Sequence, residues 1–384
     1  MKIKIIAIIL IFLSIFSFNN VKIVHADNLS DTINEQINNI DLSALEEYFN
    51  NLEHMPDNVD FFSCINQMLK GEYDLNFNSI IEYIFNTFFT NIKSSLPTFL
   101  IIVSIAILCG IIQKFKCNFM SEGIGDIILF VCLITIIVLL INEIASIWNM
   151  SKNIIKNIAN LTEIMSPIIL TLMVASGGNV SANVYKPAVA FLSNGVINIF
   201  LSIIMPLIAI MIIFYIISTF SSSLKLEKFA EIGASLIKWI IGIVITIFGV
   251  FLSVQGLTSA TYDGVSIRAT KYAISNSIPI VGGFIKDGFD LVVAGSILIK
   301  NVIGITSVFA LFYLIISPII YITTFALLLK LVSAIISQIS DSKISSFCDS
   351  MSKCISYISA SLISVGFMLF ITILLITFSA SSFI

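Results

Sequence analysis

Chemistry in this chain has few residues to work with, and they cluster. The stretch Ser253 to Asn301, SVQGLTSATYDGVSIRATKYAISNSIPIVGGFIKDGFDLVVAGSILIKN, carries the sole arginine, Arg268, among Asp263, Lys271, Lys286, Asp287, Asp290 and Lys300. Gly256, Gly264, Gly282 and Gly283 and Pro279 lie between them. Such residues could bind an ion, pair with a partner or line a path. Elsewhere Glu143, Glu163 and Lys330 interrupt or border apolar runs. A charge at the centre of a bilayer costs at least about 2.5–3.5 kcal/mol on insertion scales, so it faces a bundle or a wet cavity. Glu163 and Lys300 are therefore the candidate intramembrane charges. The bland alternatives are local pairing, with Asp290 a candidate for Lys300, and snorkelling to the interface, the better reading for Lys330.

The enzyme templates fail on inventory. The two histidines are His25 and His54, both before the apolar region, so neither an HExxH helix nor a Ser/His/Asp set can form within it. No GxxxxGK[ST] loop occurs, which argues against nucleotide hydrolysis by this chain. The cysteines, Cys64, Cys109, Cys117, Cys132, Cys348 and Cys354, make no CxxC pair and read as small apolar fillers. No catalytic residue, metal site or cofactor is expected. No basic patch with interleaved aromatics is present, so nucleic acid is not an expected partner.

The elements that position these residues must lie in lipid. Of 384 residues 58% are hydrophobic and 11% charged, with a mean hydropathy of +1.04. Soluble domains carry roughly 25% charged residues. Long Ile/Leu/Phe runs rather than short alternating ones exclude a β-barrel. The expected fold is all-α: a polytopic membrane protein of about 7–10 segments with a small helical extracytoplasmic N-terminal domain. Candidate spans are 95–113, 124–142, 158–176, 188–205, 207–222, 239–256, 291–315, 318–336 and 355–380. The run 188–220 reads as one tilted helix or two short ones, and 270–285 is too polar to assign.

Three regions follow. Residues 1–26 read as a signal peptide: Lys2 and Lys4, an apolar run Ile5–Phe18, and Val24-His25-Ala26 before the cleavage point. Residues 27–94 form an acidic domain, with twelve acids against Lys70 and Lys93, and hold helical patterns near 42–52, 61–70 and 77–93. Residues 95–384 form the polytopic domain. An offset of 112 residues aligns Pro167 with Pro279, Pro206 with Pro318 and Lys156 with Arg268, which raises a tandem repeat. With four crossings per unit, Lys114, Lys116, Lys186, Lys225, Lys228, Lys238, Lys286, Lys343 and Lys353 would face the cytoplasm, as positive-inside orientation favours. Ser176-Gly177-Gly178 and Gly282-Gly283 each follow a proline-containing apolar segment, as in broken helices or tight bundles. Gly242, Gly249, Ser253 and Gly256 form a small-residue face suited to close helix packing.

Four segments carry a resemblance. LMVASGGNVSANVYKPAVAF (172–191), LSVQGLTSATYDGVSIRATKYAISNSIPIVGGFIKDGFD (252–290) and GSILIKNVIGI (295–305) resemble the stage III sporulation protein AE family of endospore-forming Firmicutes. KLVSAIISQISDSKISSFCDSMSK (330–353) is similar to that family's C-terminal connector, and the AT-rich composition suits a clostridial-type member. The resemblance implies a multi-pass component of the A-to-H complex in the mother-cell (outer forespore) membrane. That complex includes a secretion-type ATPase and joins forespore protein Q in a secretion-like channel. Forespore integrity and late forespore gene expression after engulfment depend on it. No catalytic residues come with the family. The motif positions carried over are Gly256, Asp263, Gly264, Arg268, Lys271, Pro279, Gly282, Gly283, Asp287, Lys300 and Asn301. Two roles stay open: an assembly platform, and a permease-like subunit that itself conducts a small solute, energised by the ATPase.

Overall fold

The computed structural model describes residues 42–50, 65, 67, 77–119, 122–220, 226–277, 281–339 and 342–379. Every regular element among them is helical, with no strand. The expected signal peptide, Pro279 and most of the acidic domain lie outside the described residues. Helix α1 is Ser43–Asn50, and α2 is Phe77–Phe119. Helix α3 is Glu122–Ala175. A continuous rod follows, built from α4 (Asn179–Ala190), a π turn Phe191–Val196, one α turn Ile197–Ile199, a second π turn Phe200–Ile204, and α5 (Met205–Phe220). Helices α6 (Glu227–Ser277), α7 (Val281–Ile339) and α8 (Ser342–Phe378) complete the chain.

Six of these helical units are long and apolar enough to cross a membrane. The nine apolar runs of the sequence map onto them because several connectors are themselves helical. Runs 124–142 and 158–176 share α3, and 291–315 and 318–336 share α7. The run 188–220 is a single rod. Pro97, Pro167, Pro187 and Pro318 all lie inside helices. A proline removes one backbone bond there, and in a packed membrane bundle neighbouring groups compensate.

The helices outrun the bilayer. At 1.5 Å per residue, the 54 residues of α3 and the 59 of α7 extend about 80 Å and 88 Å, against a hydrocarbon core of about 30 Å. Exposed large apolar side chains are dense along 96–111 of α2, 127–141 of α3 and 229–254 of α6, which together form an apolar belt. Others, such as Phe85, Phe89, Val265 and Tyr272, lie outside it. Leu100 and Leu108 on α2, Phe130 and Val138 on α3, Ile213 on α5, Trp239 and Ile247 on α6, and Leu331 on α7 belong to this belt. Cross-helix contacts set the register: Phe130 meets Phe220, Phe99 meets Phe325, and Lys238 lies over the Tyr357 ring. Beyond Glu143 and Val254, α3 and α6 lose this dense belt, and Asn153, Lys156, Asn160 and Glu163 are exposed instead.

The acidic domain meets that second level. Leu42, just before α1, and Leu45 within it are buried, and the Tyr48 hydroxyl donates to the carbonyl of Asn157 on α3 at 2.8 Å. Burial pushes the Tyr48 phenol up, so it stays protonated and remains a donor. Lys186 also belongs to this level, since α4 folds back along α3 from the turn at 176–178. The four-crossing scheme placed Lys186 on the side of Lys114 and Lys116. The geometry separates them, because α3 runs unbroken from the 120–121 connector to Ala175.

Helix α8 is the centre of the bundle. Two-thirds of its most apolar stretch is buried, 67% against 22–44% in the other five. It packs antiparallel on α7, with Ser333 and Ser345 exchanging hydroxyl bonds at one end and Ser352 Oγ donating to the carbonyl of Ala326 at 2.7 Å. Hydroxyls that return to the helix backbone or cross to a neighbour are how serine is tolerated in such a core. Cys109, Cys348 and Cys354 are buried in the same bundle as free thiols, matching their reading as fillers.

Candidate functional site: a buried polar node where five helices meet

The turn after α3 sets the geometry. Gly177 has φ +88°, the left-handed region that glycine enters without strain. A Cβ there would lie 2.7 Å from Ile267 Cγ1 on α6. Glycine is required twice over, for the dihedral and for the close approach. We expect Gly177→Ala to lower the melting temperature of the purified protein, by strain of about 1–2 kcal/mol. Ile267→Ala should restore only the steric part. Unchanged melting of the single variant would contradict this reading.

The turn delivers the first amides of α4 to Asp263. Asp263 is fully buried; its two carboxylate oxygens accept the backbone N–H of Val180 at 2.9 Å and of Ser181 at 3.0 Å. The first N–H groups of a helix lack intrahelical partners, and the helix dipole favours an anion there. Asp263 is thus a helix cap supplied from 82–83 residues away. Gly178, at the usual capping position, provides no side-chain cap. The Ser181 hydroxyl, also fully buried, has no hydrogen-bond partner among the described residues.

Opposite charge comes from α7. Lys300 is fully buried, and its Nζ donates to the carbonyl of Ser379, at the end of α8. The ammonium also lies within electrostatic reach of Asp263. Ser379 touches Met173 of α3 through its hydroxyl, at 3.9 Å from the sulfur. One helical turn after Lys300, a Cβ on Gly304 would overlap the Thr377 side chain, so α7 and α8 approach closely here. The end of α3, the start of α4, the last third of α6, the first half of α7 and the end of α8 therefore converge on Asp263 and Lys300.

The remaining motif residues divide by helical face. Asp263 and Ile267 are four apart and share the inward face of α6, whereas Arg268 is exposed. Gly264 is buried and Asn301 half-buried. Lys271 Nζ pairs with Asp290 at 2.7 Å, tying α6 to α7. Asp290 is thus the partner of Lys271, while Lys300 anchors on a carbonyl; sequence spacing alone suggested the other pairing. Gly256, Gly282, Gly283 and Asp287 lie within helices but outside the described side chains, and Pro279 is outside the described residues altogether. Gly242 and Gly249 have nothing within 4 Å of where a Cβ would sit, so these two positions of the small-residue face do not pack against the described residues.

A cleft lies apart from the node, between α3 and the α4 rod. It has a volume of about 450 Å³ and holds Glu163 and Lys186 together with Ser166, Thr171, Ser193 and Asn194. Glu163, a candidate intramembrane charge by sequence, is exposed on this cleft. Sequence reasoning used Lys186 only as a marker of orientation. Its place opposite Glu163 follows from the reversal at Gly177. Among the described residues no group of histidine, cysteine or carboxylate side chains could hold a metal ion.

Comparison with known proteins decides the family. The model of the stage III sporulation protein AE family matches residues 59–380. The chain belongs to that family. It is also similar to the stage III sporulation protein AE of Bacillus subtilis (strain 168), with 26% identity over 310 residues, covering 81% of this chain and 78% of the relative. No solved structure matches. The protein is a multi-pass membrane member of a sporulation family, and the match takes in the whole node from Met173 to Ser379.

Proposed function

We propose that this chain is a non-catalytic membrane component of the mother cell-to-forespore channel complex, seated in the mother-cell membrane that surrounds the forespore. Its partners would be the other proteins of the stage III sporulation A complex, including the secretion-type ATPase, and forespore protein Q. Family membership supports a sporulation role, and the signature segment of α6 supports the assembly part. Its inward face, Asp263 and Ile267, holds the fold together, while Arg268 is left exposed. An exposed arginine is suited to a bidentate carboxylate contact on a partner.

Substituting Arg268 tests this. Arg268→Ala should accumulate in the membrane at the wild-type level, yet co-purify with less of the partner subunits and lower the yield of heat-resistant spores at least tenfold. Normal co-purification with normal spore yield would reject the assembly role of this face. A second reading, a subunit that itself conducts a small solute, draws on the cleft holding Glu163 and Lys186.

A further inference from the structure

The cleft between α3 and the α4 rod has the parts of a small-molecule site. Glu163 and Lys186 line the same cavity of about 450 Å³, but they form no ion pair with each other. Among the described residues, Lys186 Nζ reaches Asn183 Oδ1, at 3.5 Å. Two opposite charges in one cleft, left unneutralised by each other, are complementary to a ligand carrying both signs. The volume falls within the range of about 300–1,000 Å³ usual for ligand pockets.

The rest of the lining fits such a ligand. Leu170 and Val189 are buried apolar residues of the wall. Ser166 and Ser193 are more than nine-tenths buried and still border the cavity, giving it hydroxyls beside the apolar surface. Ser193 and Asn194 belong to the π turn Phe191–Val196. A π turn inserts an extra residue into the helical register and is frequent at functional sites. Here it falls on the wall that faces Glu163 and Pro167. The cleft also lies a few turns from Asn157, where the α1 helix docks, and so at the level of the bundle where polar side chains are exposed.

We infer that this cleft binds a small zwitterion with an aliphatic portion, of the amino-acid type. Glu163 receives the ammonium, Lys186 the carboxylate, and the Leu170/Val189 wall the hydrocarbon part. The inference rests on the cleft and not on the channel-complex reading, and its test uses the isolated protein.

The full chain reconstituted in lipid nanodiscs would be titrated calorimetrically with L-leucine, with 3-methylbutylamine and with 4-methylpentanoate. The last two are the same skeleton carrying only the positive or only the negative charge. Saturable leucine binding is expected, at least tenfold tighter than either analogue. Glu163→Gln and Lys186→Gln should each weaken it at least tenfold, and the charge-exchanged double variant Glu163→Lys/Lys186→Glu should recover most of it with the ligand reversed. The double variant also reports on folding, since recovery requires an intact cleft. Absence of leucine binding to the wild type, equal binding of a singly charged analogue, or undiminished binding by both single variants would each overturn the inference.

Discussion

Replacing Asp263 with alanine should collapse the junction of α3, α4 and α6 and abolish sporulation. The carboxylate accepts two backbone N–H bonds in a fully buried site. Hydrogen bonds to a charged group contribute about 1.5–3 kcal/mol each, and the amides left behind would be buried without partners. The α4 dipole would lose its anion, and the Lys300 ammonium would lose the attraction of the Asp263 carboxylate. A loss of roughly 3 kcal/mol or more is expected. It would appear as a large drop in melting temperature of the purified protein and a loss of heat-resistant spores. Asp263→Asn should fall between, because one amide oxygen can serve one N–H while the other position becomes a donor. An alanine variant that melts and sporulates like the wild type would show that the cap is dispensable.

Lys300→Met should be the second severe change, and its character separates charge from bulk. Methionine keeps an unbranched apolar stem of similar length, so little packing is lost. What disappears is the bond to the Ser379 carbonyl that holds the end of α8, together with the attraction to Asp263. Leaving the part-buried Ser379 carbonyl without its charged donor costs about 1–3 kcal/mol, and the lost attraction to Asp263 adds to it. The double variant Asp263→Asn/Lys300→Met should therefore lose less than the sum of the two single losses. The shortfall measures the coupling between the two sites. Strict additivity in melting free energy would mean that the two charges act independently. A Lys300→Met variant that folds, assembles with its partners and still fails to sporulate would point instead to the solute-conducting reading.

Much of the fold was legible because lipid imposes simple rules. Long apolar runs must be helices when no water is present to satisfy the backbone, and all the described spans are helical. The helix expected to start near Leu42 is present as Ser43–Asn50. Where one helix ended and the next began was less legible. Asn153, Lys156 and Asn160 look like a connector between two spans, yet they ride on one unbroken α3. Their helical spacing keeps Ile154, Ile155 and Ile158 buried, which a hydropathy window averages away.

For the site, composition identified the residues but not their partners. The rarity of charge in an apolar chain marked Asp263, Arg268, Lys271, Lys300 and Glu163 as residues with work to do. The glycine pair after Ala175 marked a turn, and the positive φ of Gly177 is its physical basis. Asp263 contacts main-chain atoms of Val180 and Ser181, and Lys300 the carbonyl of Ser379. Backbone groups carry no side-chain identity, so no residue pattern announces them. By itself the sequence determined the class, the family segments and the short roster of charges, because burial in lipid is a one-dimensional sum along each helix. Tertiary structure alone decided which charges meet. Bringing Asp263 to Val180, or Glu163 to the cleft with Lys186, depends on the reversal at Gly177 and the crossing of five helices, and those are relations between distant parts of the chain.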